Sequence, residues 1–158
     1  MAKSKALGIF ALHVIIAMMV CTFVGGLLNV LTSAWLTHGA ENLLLDLPYT
    51  PLSWGLAAVS GFFFSRRLPS RYSCWVWTVG VAWLLLGIFS DLQWYDPRWC
   101  GGCSKLMWVW YNYFSYRDSM QEGLGLLLVT GPMLNSVAYS VGAYIWSVAP
   151  QKKLVASR

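Results

Sequence analysis

Charged residues are scarce in this chain and are missing from the interior of its long apolar runs. Charged side chains make up 11% of the 158 residues, whereas apolar ones make up 58%. A typical soluble domain has about 25% charged residues. The composition therefore excludes an ordinary soluble fold and predicts an integral membrane protein.

The apolar runs also lack the side chains on which ion transport and most catalysis depend. Away from the run ends, their strongly polar side chains are His13, Asn29 and Asn135. Proton pumps and ion-coupled transporters usually keep ionisable groups at membrane depth, because those groups carry the ion. The chain has no glycine-rich phosphate loop, nucleophile elbow or zinc-protease motif. These absences disfavour a pump and the corresponding enzyme classes.

Four apolar runs are long enough to form membrane-spanning helices, since about 20 residues cross the hydrocarbon core at about 1.5 Å per residue. They cover residues 6–36, 48–65, 73–92 and 123–148. We therefore predict an all-α membrane protein with a single four-helix transmembrane domain over residues 1–158. The first run is longer than the apolar core of a secretory signal, so we expect it to remain as an anchor.

Basic residues are distributed unevenly around these runs. Eight of the eleven lie at the chain ends or between the second and third runs, namely Lys3, Lys5, Arg66, Arg67, Arg71, Lys152, Lys153 and Arg158. Because cytoplasmic loops are enriched in Lys and Arg, we predict a multi-pass protein of the inner or plasma membrane with both termini in the cytoplasm. The net charge of +5 thus indicates orientation, and we predict no nucleic-acid partner.

The predicted outer segment, residues 93–122, is rich in aromatic side chains. Its candidate lipid- or partner-contacting residues are Trp94, Trp99, Trp108, Trp110, Tyr111 and Tyr113. Amphipathic rings favour the headgroup layer, so we predict a short interfacial helix over residues 104–114 with Ser104 as its N-cap. Clustered Trp and Tyr also occur at protein interfaces. An aromatic belt in the bilayer and a docking face for another subunit both stay open.

Two of the four cysteines stand close together in this outer segment. Cys100 and Cys103 enclose Gly101 and Gly102, which permit the backbone conformations that a tight ring needs. On an oxidising outer side a disulfide between Cys100 and Cys103 is favoured, and we predict it as a staple of the loop. Two thiolates form half of a zinc or iron–sulfur site, but the chain supplies no regular second half, so we predict no metal.

A C-x-x-C pair can also exchange electrons, which provides an alternative function. Four helices with both ends inside, and a C-x-x-C near the outer interface, are similar to the DsbB family of membrane thiol oxidases. Like the vitamin K epoxide reductase family, those proteins pass electrons from such a pair to a quinone. The resemblance implies catalytic roles for Cys100 and Cys103. DsbB-like proteins keep a second outer pair and place the C-x-x-C on the first outer loop, whereas this chain has one outer pair, on the second loop.

Within the helices, His13 is a candidate ligand for haem or chlorophyll, because a neutral imidazole is a usual axial donor. A hydrogen bond to a neighbouring helix is the simpler interpretation. Small residues at four-residue spacing, such as Ala57 with Gly61, favour close helix packing within the chain or against a partner. Gly131 and Pro132 predict a kink in the fourth helix.

Aromatic surfaces abound while catalytic constellations are missing, so the sequence favours a non-enzymatic accessory or scaffold subunit of a membrane complex. Its expected partners are the lipid bilayer and other protein subunits, and we predict no resident cofactor. A thiol–disulfide oxidoreductase using Cys100 and Cys103 is the alternative. We expect a quinone as cofactor only under this alternative. A small transporter or channel is the third function considered.

Overall fold

The protein is described by a computed structural model that covers residues 2–36, 51–114 and 126–149. All regular elements in these ranges are helical and no strand occurs among them, which confirms the all-α prediction. Two helices in the described ranges, Ser4–Leu28 and Ser73–Gln93, are long and apolar enough to cross a membrane. The arrangement of four membrane spans stays a prediction.

The helical elements follow the four apolar runs. In chain order they are α1 (Ala2–Ile15), a π-helical turn (Ile16–Val20), α2 (Cys21–Leu36), α3 (Pro51–Arg67), a 3-10 turn (Ser73–Trp75), α4 (Val76–Gln93), a 3-10 turn (Pro97–Cys100), α5 (Lys105–Tyr113), a π-helical turn (Leu126–Thr130) and α6 (Gly131–Val148). Helices α1 and α2 are joined by their π-helical turn without a break, so the first run forms one long helical segment.

The first helical segment and α3 are antiparallel. His13 in α1 donates a hydrogen bond from Nε2 to the carbonyl oxygen of Leu68, which follows the end of α3. Further along the first segment, Gly25 of α2 faces Ser53 near the start of α3, and a Cβ atom at Gly25 would lie 2.7 Å from Cβ of Ser53. The two helical segments therefore run in opposite directions.

Helices α4 and α6 are also antiparallel. The backbone N–H of Trp77, near the start of α4, donates to Oγ of Ser140 at 2.9 Å. Six residues later in α4, the indole N–H of Trp83 donates to the carbonyl oxygen of Leu128 at 3.0 Å, in the turn that precedes α6. The starts of α1 and α4 and the ends of α3 and α6 consequently lie together.

Charged residues separate between the two ends of this bundle. The end formed by the starts of α1 and α4, which we call the basic end, carries the exposed cations Lys5, Arg66, Arg67 and Arg71. The opposite end, which we call the cap end, carries α5, the described acidic residues Asp91 and Asp96, and the exposed cations Arg98 and Lys105. The described acidic residues therefore lie at one end only, because neighbouring helices alternate in direction.

Helix α6 lies at the centre of the bundle and contacts α3 through backbone atoms. Gly61 in α3 adjoins the carbonyl group of Tyr139, and Gly142 in α6 adjoins the carbonyl group of Ala58. A side chain at either glycine would collide with backbone that cannot move away easily. The close packing predicted at Gly61 thus occurs within this chain, and Gly142 makes a second contact of the same kind.

The junction at Gly131 and Pro132 is a change of helix type. The π-helical turn Leu126–Thr130 ends where α6 begins, and Pro132 falls in the first turn of α6. The helical backbone continues from the π-helical turn into α6, so proline, which has no N–H to donate, removes a bond of the helix near the point where the helix type changes. The kink expected from the sequence stays a prediction.

The distribution of polar and apolar side chains is inverted relative to a soluble protein. The fully buried side chains include His13 and Asn135, and several serines are buried beside them. Large apolar side chains are instead exposed, among them Leu7, Met19, Phe23, Leu85, Phe89 and Ile145. A soluble monomer rarely exposes large contiguous apolar patches, so apolar exposure on this scale is unusual for one.

The close contact between α3 and α6 predicts different effects for two glycines of the same helix. Gly61→Ala would place a methyl group against the Tyr139 carbonyl, whereas a Cβ at Gly55 meets nothing within 4 Å. We expect Gly61→Ala to lower the free energy of unfolding by about 1–3 kcal/mol through overpacking. Thermal unfolding in detergent should show this loss for Gly61→Ala and none for Gly55→Ala; equal midpoints would contradict the packing described.

Candidate functional site

The C-x-x-C loop at the cap end is a tight reversal of the chain. Gly101 has φ 67° and Gly102 has φ 94°, both in the left-handed region that side chains rarely adopt. The N–H of Gly102 donates to the carbonyl oxygen of Pro97 at 2.8 Å, which closes the turn. The glycine pair therefore has the conformational role that its sequence predicts.

The backbone of Cys103 is connected to α5 through the side chain of Tyr95. Its carbonyl oxygen accepts a hydrogen bond from the hydroxyl of Tyr95, and the Tyr95 ring packs edge-on against Trp108 of α5 with centroids 6.2 Å apart. The free thiols among the described residues are those of Cys21 and Cys74. The side chain of Cys100 lies outside the described residues.

Helix α5 begins as the sequence predicts. Oγ of Ser104 accepts a hydrogen bond from the N–H of Met107 at 3.3 Å, so Ser104 is the N-cap of the helix. This cap satisfies one of the backbone donors that a helix start leaves without an intrahelical partner. The start of α5 is therefore determined by local sequence.

The aromatic residues predicted to contact lipid or a partner fall into two groups. Trp94 and Trp110 are exposed, with 74% and 59% of their surface accessible. Trp108 and Tyr111 are half-buried, while Tyr113 is 2% exposed. The side chain of Trp99 lies outside the described residues. Trp94 and Trp110 thus carry the outward-facing surface of the cap, whereas Tyr113 belongs to its interior.

Tyr113 anchors α5 to the rest of the bundle. Its hydroxyl hydrogen-bonds to the carboxylate of Asp91 near the end of α4, and its carbonyl oxygen accepts from Oγ1 of Thr130 at 2.7 Å. Burial, followed by the hydrogen bond and the negative charge of Asp91, raises the pKa of Tyr113 above its ordinary value. The phenol therefore stays protonated and remains a hydrogen-bond donor.

The imidazole of His13 is fully buried and engaged at both nitrogens. Nδ1 lies 2.6 Å from the hydroxyl of Tyr139, and Nε2 lies 3.0 Å from the carbonyl oxygen of Leu68. A carbonyl oxygen only accepts, so Nε2 carries the proton and Nδ1 of the neutral ring accepts from Tyr139. In this arrangement neither nitrogen has a lone pair available to a haem iron, and the ring links α1 to α6 and to the α3–α4 connection.

A second buried polar cluster lies nearer the cap end and joins three helices through Asn135. Oδ1 of Asn135 accepts from Oγ of Ser53 in α3 at 2.9 Å. Its Nδ2 donates to Oγ1 of Thr22 in α2, also at 2.9 Å. The amide thus uses acceptor and donor groups on separate helices, which aligns α2, α3 and α6.

Sequence reasoning missed Tyr139 as the partner of His13 and Asp91 as the partner of Tyr113. One signal was present for the first pair: Asn135, Ser136, Tyr139 and Ser140 recur at helical spacing and form a polar stripe on α6. Such a stripe on an otherwise apolar helix indicates an inward face. No comparable pattern links Asp91 to Tyr113.

The described residues contain no group of three or more His, Cys, Asp or Glu that could hold a metal ion. Comparison with known proteins finds no matching protein-family profile, curated protein or solved structure. The functional conclusion therefore depends on the chain's own geometry.

The anchoring role of Tyr113 can be tested by local exchange. We expect Tyr113→Phe to remove a hydrogen bond to a charged group and to lower the opening free energy of α5 by about 1–3 kcal/mol. Hydrogen–deuterium exchange should become faster across residues 105–113. Tyr144→Phe, at an exposed tyrosine of α6, is the matched control and should leave α5 unchanged; unaltered exchange in Tyr113→Phe would refute the anchor.

The Asn135 cluster predicts coupling between two helices. In membrane helices such hydrogen bonds contribute about 0.6 kcal/mol on average, with a maximum of about 1.7 kcal/mol. Ser53→Ala should therefore lower the free energy of unfolding of the native protein by about 0.6–1.7 kcal/mol. In the Asn135→Leu variant, which lacks the acceptor, the same substitution should have almost no effect. A double-mutant cycle measured by unfolding in detergent gives the coupling, and additive effects would contradict a direct bond.

Proposed function

We propose that the protein is an integral membrane protein with four membrane-spanning helices that acts as a non-enzymatic accessory or scaffold subunit of a membrane complex. The observation that carries this proposal is the inverted side-chain distribution, with small and polar residues inside and large apolar residues outside. In lipid, helices associate through close packing and interhelical hydrogen bonds, because apolar surface has little to gain from self-association there.

Helix α6 illustrates why a membrane span in this bundle need not be uniformly apolar. Its polar residues are buried against α3 and α4, among them Asn135, Ser136 and Ser140. Its exposed face carries Val137, Val141 and Ile145 instead. A helix with its polar side inward and its apolar side outward fits a lipid environment even though its average composition is mixed.

The first helical segment supports a retained anchor. His13, Ile16, Ala17 and Cys21 are buried in the bundle, so the segment is an integral part of the fold. The basic end carries the exposed cations Lys5, Arg66, Arg67 and Arg71, against Arg98 and Lys105 at the cap end, and the positive-inside rule places the end richer in Lys and Arg in the cytoplasm. This supports the proposed orientation, with the basic end in the cytoplasm and the cap end outside.

The interior polar groups favour a scaffold over a transporter. His13 bonds to Tyr139, and Asn135 bonds to Ser53 and Thr22. Each of these side chains has its hydrogen-bond partner inside the bundle. Their burial is therefore explained by helix packing, and no substrate path is needed to account for it. The exposed Trp94 and Trp110 provide an amphipathic outer surface of the kind that packs against another subunit.

We propose further that Cys100 and Cys103 form a disulfide that staples the cap loop. The free cysteines among the described residues are Cys21 and Cys74, and Cys103 is not one of them. The left-handed Gly101 and Gly102 bring the chain back upon itself between the two cysteine positions. Both glycines are exposed, and this access to the loop favours a second candidate function, in which the reduced Cys100–Cys103 pair is oxidised to a disulfide while a quinone accepts the two electrons and two protons and becomes a quinol.

Mass spectrometry of the intact assembly, after purification in mild detergent, tests the two functions together. The scaffold function predicts stable companion subunits that are lost when Trp94 and Trp110 are both changed to Ala. The matched control, Trp75→Ala with Trp77→Ala, alters two exposed tryptophans of the basic end and should retain the companions.

Thiol alkylation in the same experiment reports the state of the cysteines. A Cys100–Cys103 bond that persists in physiological reductant supports the staple, since structural disulfides resist the glutathione pool. A chain without companions, whose cysteines are first reduced by a thiol and then reoxidised by added quinone, would overturn the scaffold function in favour of the redox alternative.

A further inference from the structure

We propose that the connection between α3 and α4 forms a binding site for the headgroup phosphate of an anionic phospholipid. The site, which we call the arginine loop, consists of residues 66–72 and presents Arg66, Arg67 and Arg71. It rests on the membrane placement proposed above but does not depend on any partner subunit or on the cysteine pair.

The arginine loop is held in place from inside the bundle. The carbonyl oxygen of Leu68 accepts a hydrogen bond from the buried His13 ring at 3.0 Å, and the N–H of Leu68 donates to the carbonyl oxygen of Phe64 at 2.7 Å. The ring of Tyr72 packs edge-on against Phe10 of α1, with centroids 6.5 Å apart. These contacts tie the loop to both α1 and α3.

Ser70 gives the loop a defined turn. Its Oγ accepts from the N–H of Tyr72 at 3.2 Å, and its carbonyl oxygen accepts from Oγ of Ser73 at 2.8 Å. The N–H of Ser73 donates to the same carbonyl at 3.1 Å. A loop that is ordered before binding loses less conformational entropy when a ligand arrives.

The arginine side chains are exposed and keep hydrogen-bond donors for a ligand. The guanidinium of Arg66 lies over the ring of Trp146 at 5.7 Å, and that of Arg71 lies over the ring of Tyr72 at 4.9 Å. Arg71 also donates one hydrogen bond to the Tyr72 hydroxyl at 2.6 Å. A guanidinium has five donors in a planar fork, so the remaining edges suit the oxygens of a phosphate.

The charge around the arginine loop favours an anionic ligand. The acidic residues of the described chain, Asp91 and Asp96, lie at the opposite end of the bundle, so they do not neutralise the arginines. Basic residues beside a membrane helix attract anionic lipids. Three such residues, of which Arg66 and Arg67 end α3 and Arg71 lies in the ordered turn that follows, should distinguish a net-negative headgroup from a zwitterionic one.

Apolar side chains next to the arginine loop favour a lipid over free phosphate. Trp75 and Trp77 are stacked with centroids 6.4 Å apart, and both are exposed at the start of α4. Phe63 and Phe64 are exposed at the end of α3. A phosphate bound to the arginines would therefore lie where the acyl chains of the same molecule can contact aromatic rings.

Lipid retention measured by mass spectrometry of the detergent-purified protein tests the site. The probes are phosphatidylglycerol and phosphatidylcholine, added separately at equal concentration. We expect the native chain to retain phosphatidylglycerol preferentially, and the combined variant Arg66→Gln, Arg67→Gln and Arg71→Gln to lose about tenfold or more of that affinity. The matched control, Arg98→Gln with Lys105→Gln, removes two exposed cations of the cap end and should keep the preference.

Three outcomes would overturn the proposal: undiminished phosphatidylglycerol binding by the glutamine variant, equal binding of the two lipids by the native chain, or displacement of phosphatidylglycerol by millimolar inorganic phosphate. Replacing the three arginines with lysine provides a second variant that keeps the charge. Its affinity should fall between those of the native chain and the glutamine variant, because lysine retains the attraction but not the planar fork.

The same spectra separate this site from the proposed scaffold function. Companion subunits that stay bound while phosphatidylglycerol is lost from the glutamine variant support a lipid site distinct from the partner surface. A native chain that retains phosphatidylglycerol without companions contradicts the scaffold function and leaves the lipid site standing.

Discussion

Close approach between the backbones of α3 and α6 is the contact on which the other features of the bundle depend. Gly61 and Gly142 allow it, because each faces a carbonyl group of the opposite helix. In an apolar environment a bundle gains little from burying apolar side chains, so surface contact and interhelical hydrogen bonds must hold it together. Both require helices close enough for short polar side chains to reach across.

The two buried polar clusters depend on this close spacing of the helices. Through further hydrogen bonds they also order residues at the two ends of the bundle. Tyr139 is the residue whose carbonyl adjoins Gly61, and its hydroxyl positions His13. His13 in turn holds Leu68 and so orders the arginine loop at the basic end. At the cap end, Tyr113 plays the corresponding part by joining α5 to Asp91 and Thr130. Surfaces available to lipid or partners are thus supported by hydrogen bonds inside the bundle.

This organisation favours a protein whose surfaces, rather than its interior, carry the function. The buried His13 is hydrogen-bonded to Tyr139 and the buried Asn135 to Ser53 and Thr22, and the exposed residues at the two ends differ in chemistry. Trp94 and Trp110 give the cap end an aromatic face, while arginines beside tryptophans give the basic end a cationic face. An accessory subunit that sits between lipid and other proteins would use both faces, whereas a thiol oxidase would use the C-x-x-C loop alone.

Local sequence by itself determined the helical class, the approximate course of the apolar helices, the cap at Ser104 and the conformational role of Gly101 and Gly102, because propensity, capping and periodicity act over a few residues. The pairing of His13 with Tyr139 joins residues 126 positions apart, and that of Asn135 with Thr22 joins residues 113 positions apart. Periodicity identifies the polar face of a helix but not its rotation against a neighbour. Which side chains meet, which tryptophans face outward and where the arginine loop is held were therefore decided only by the tertiary packing of α6 between α3 and α4.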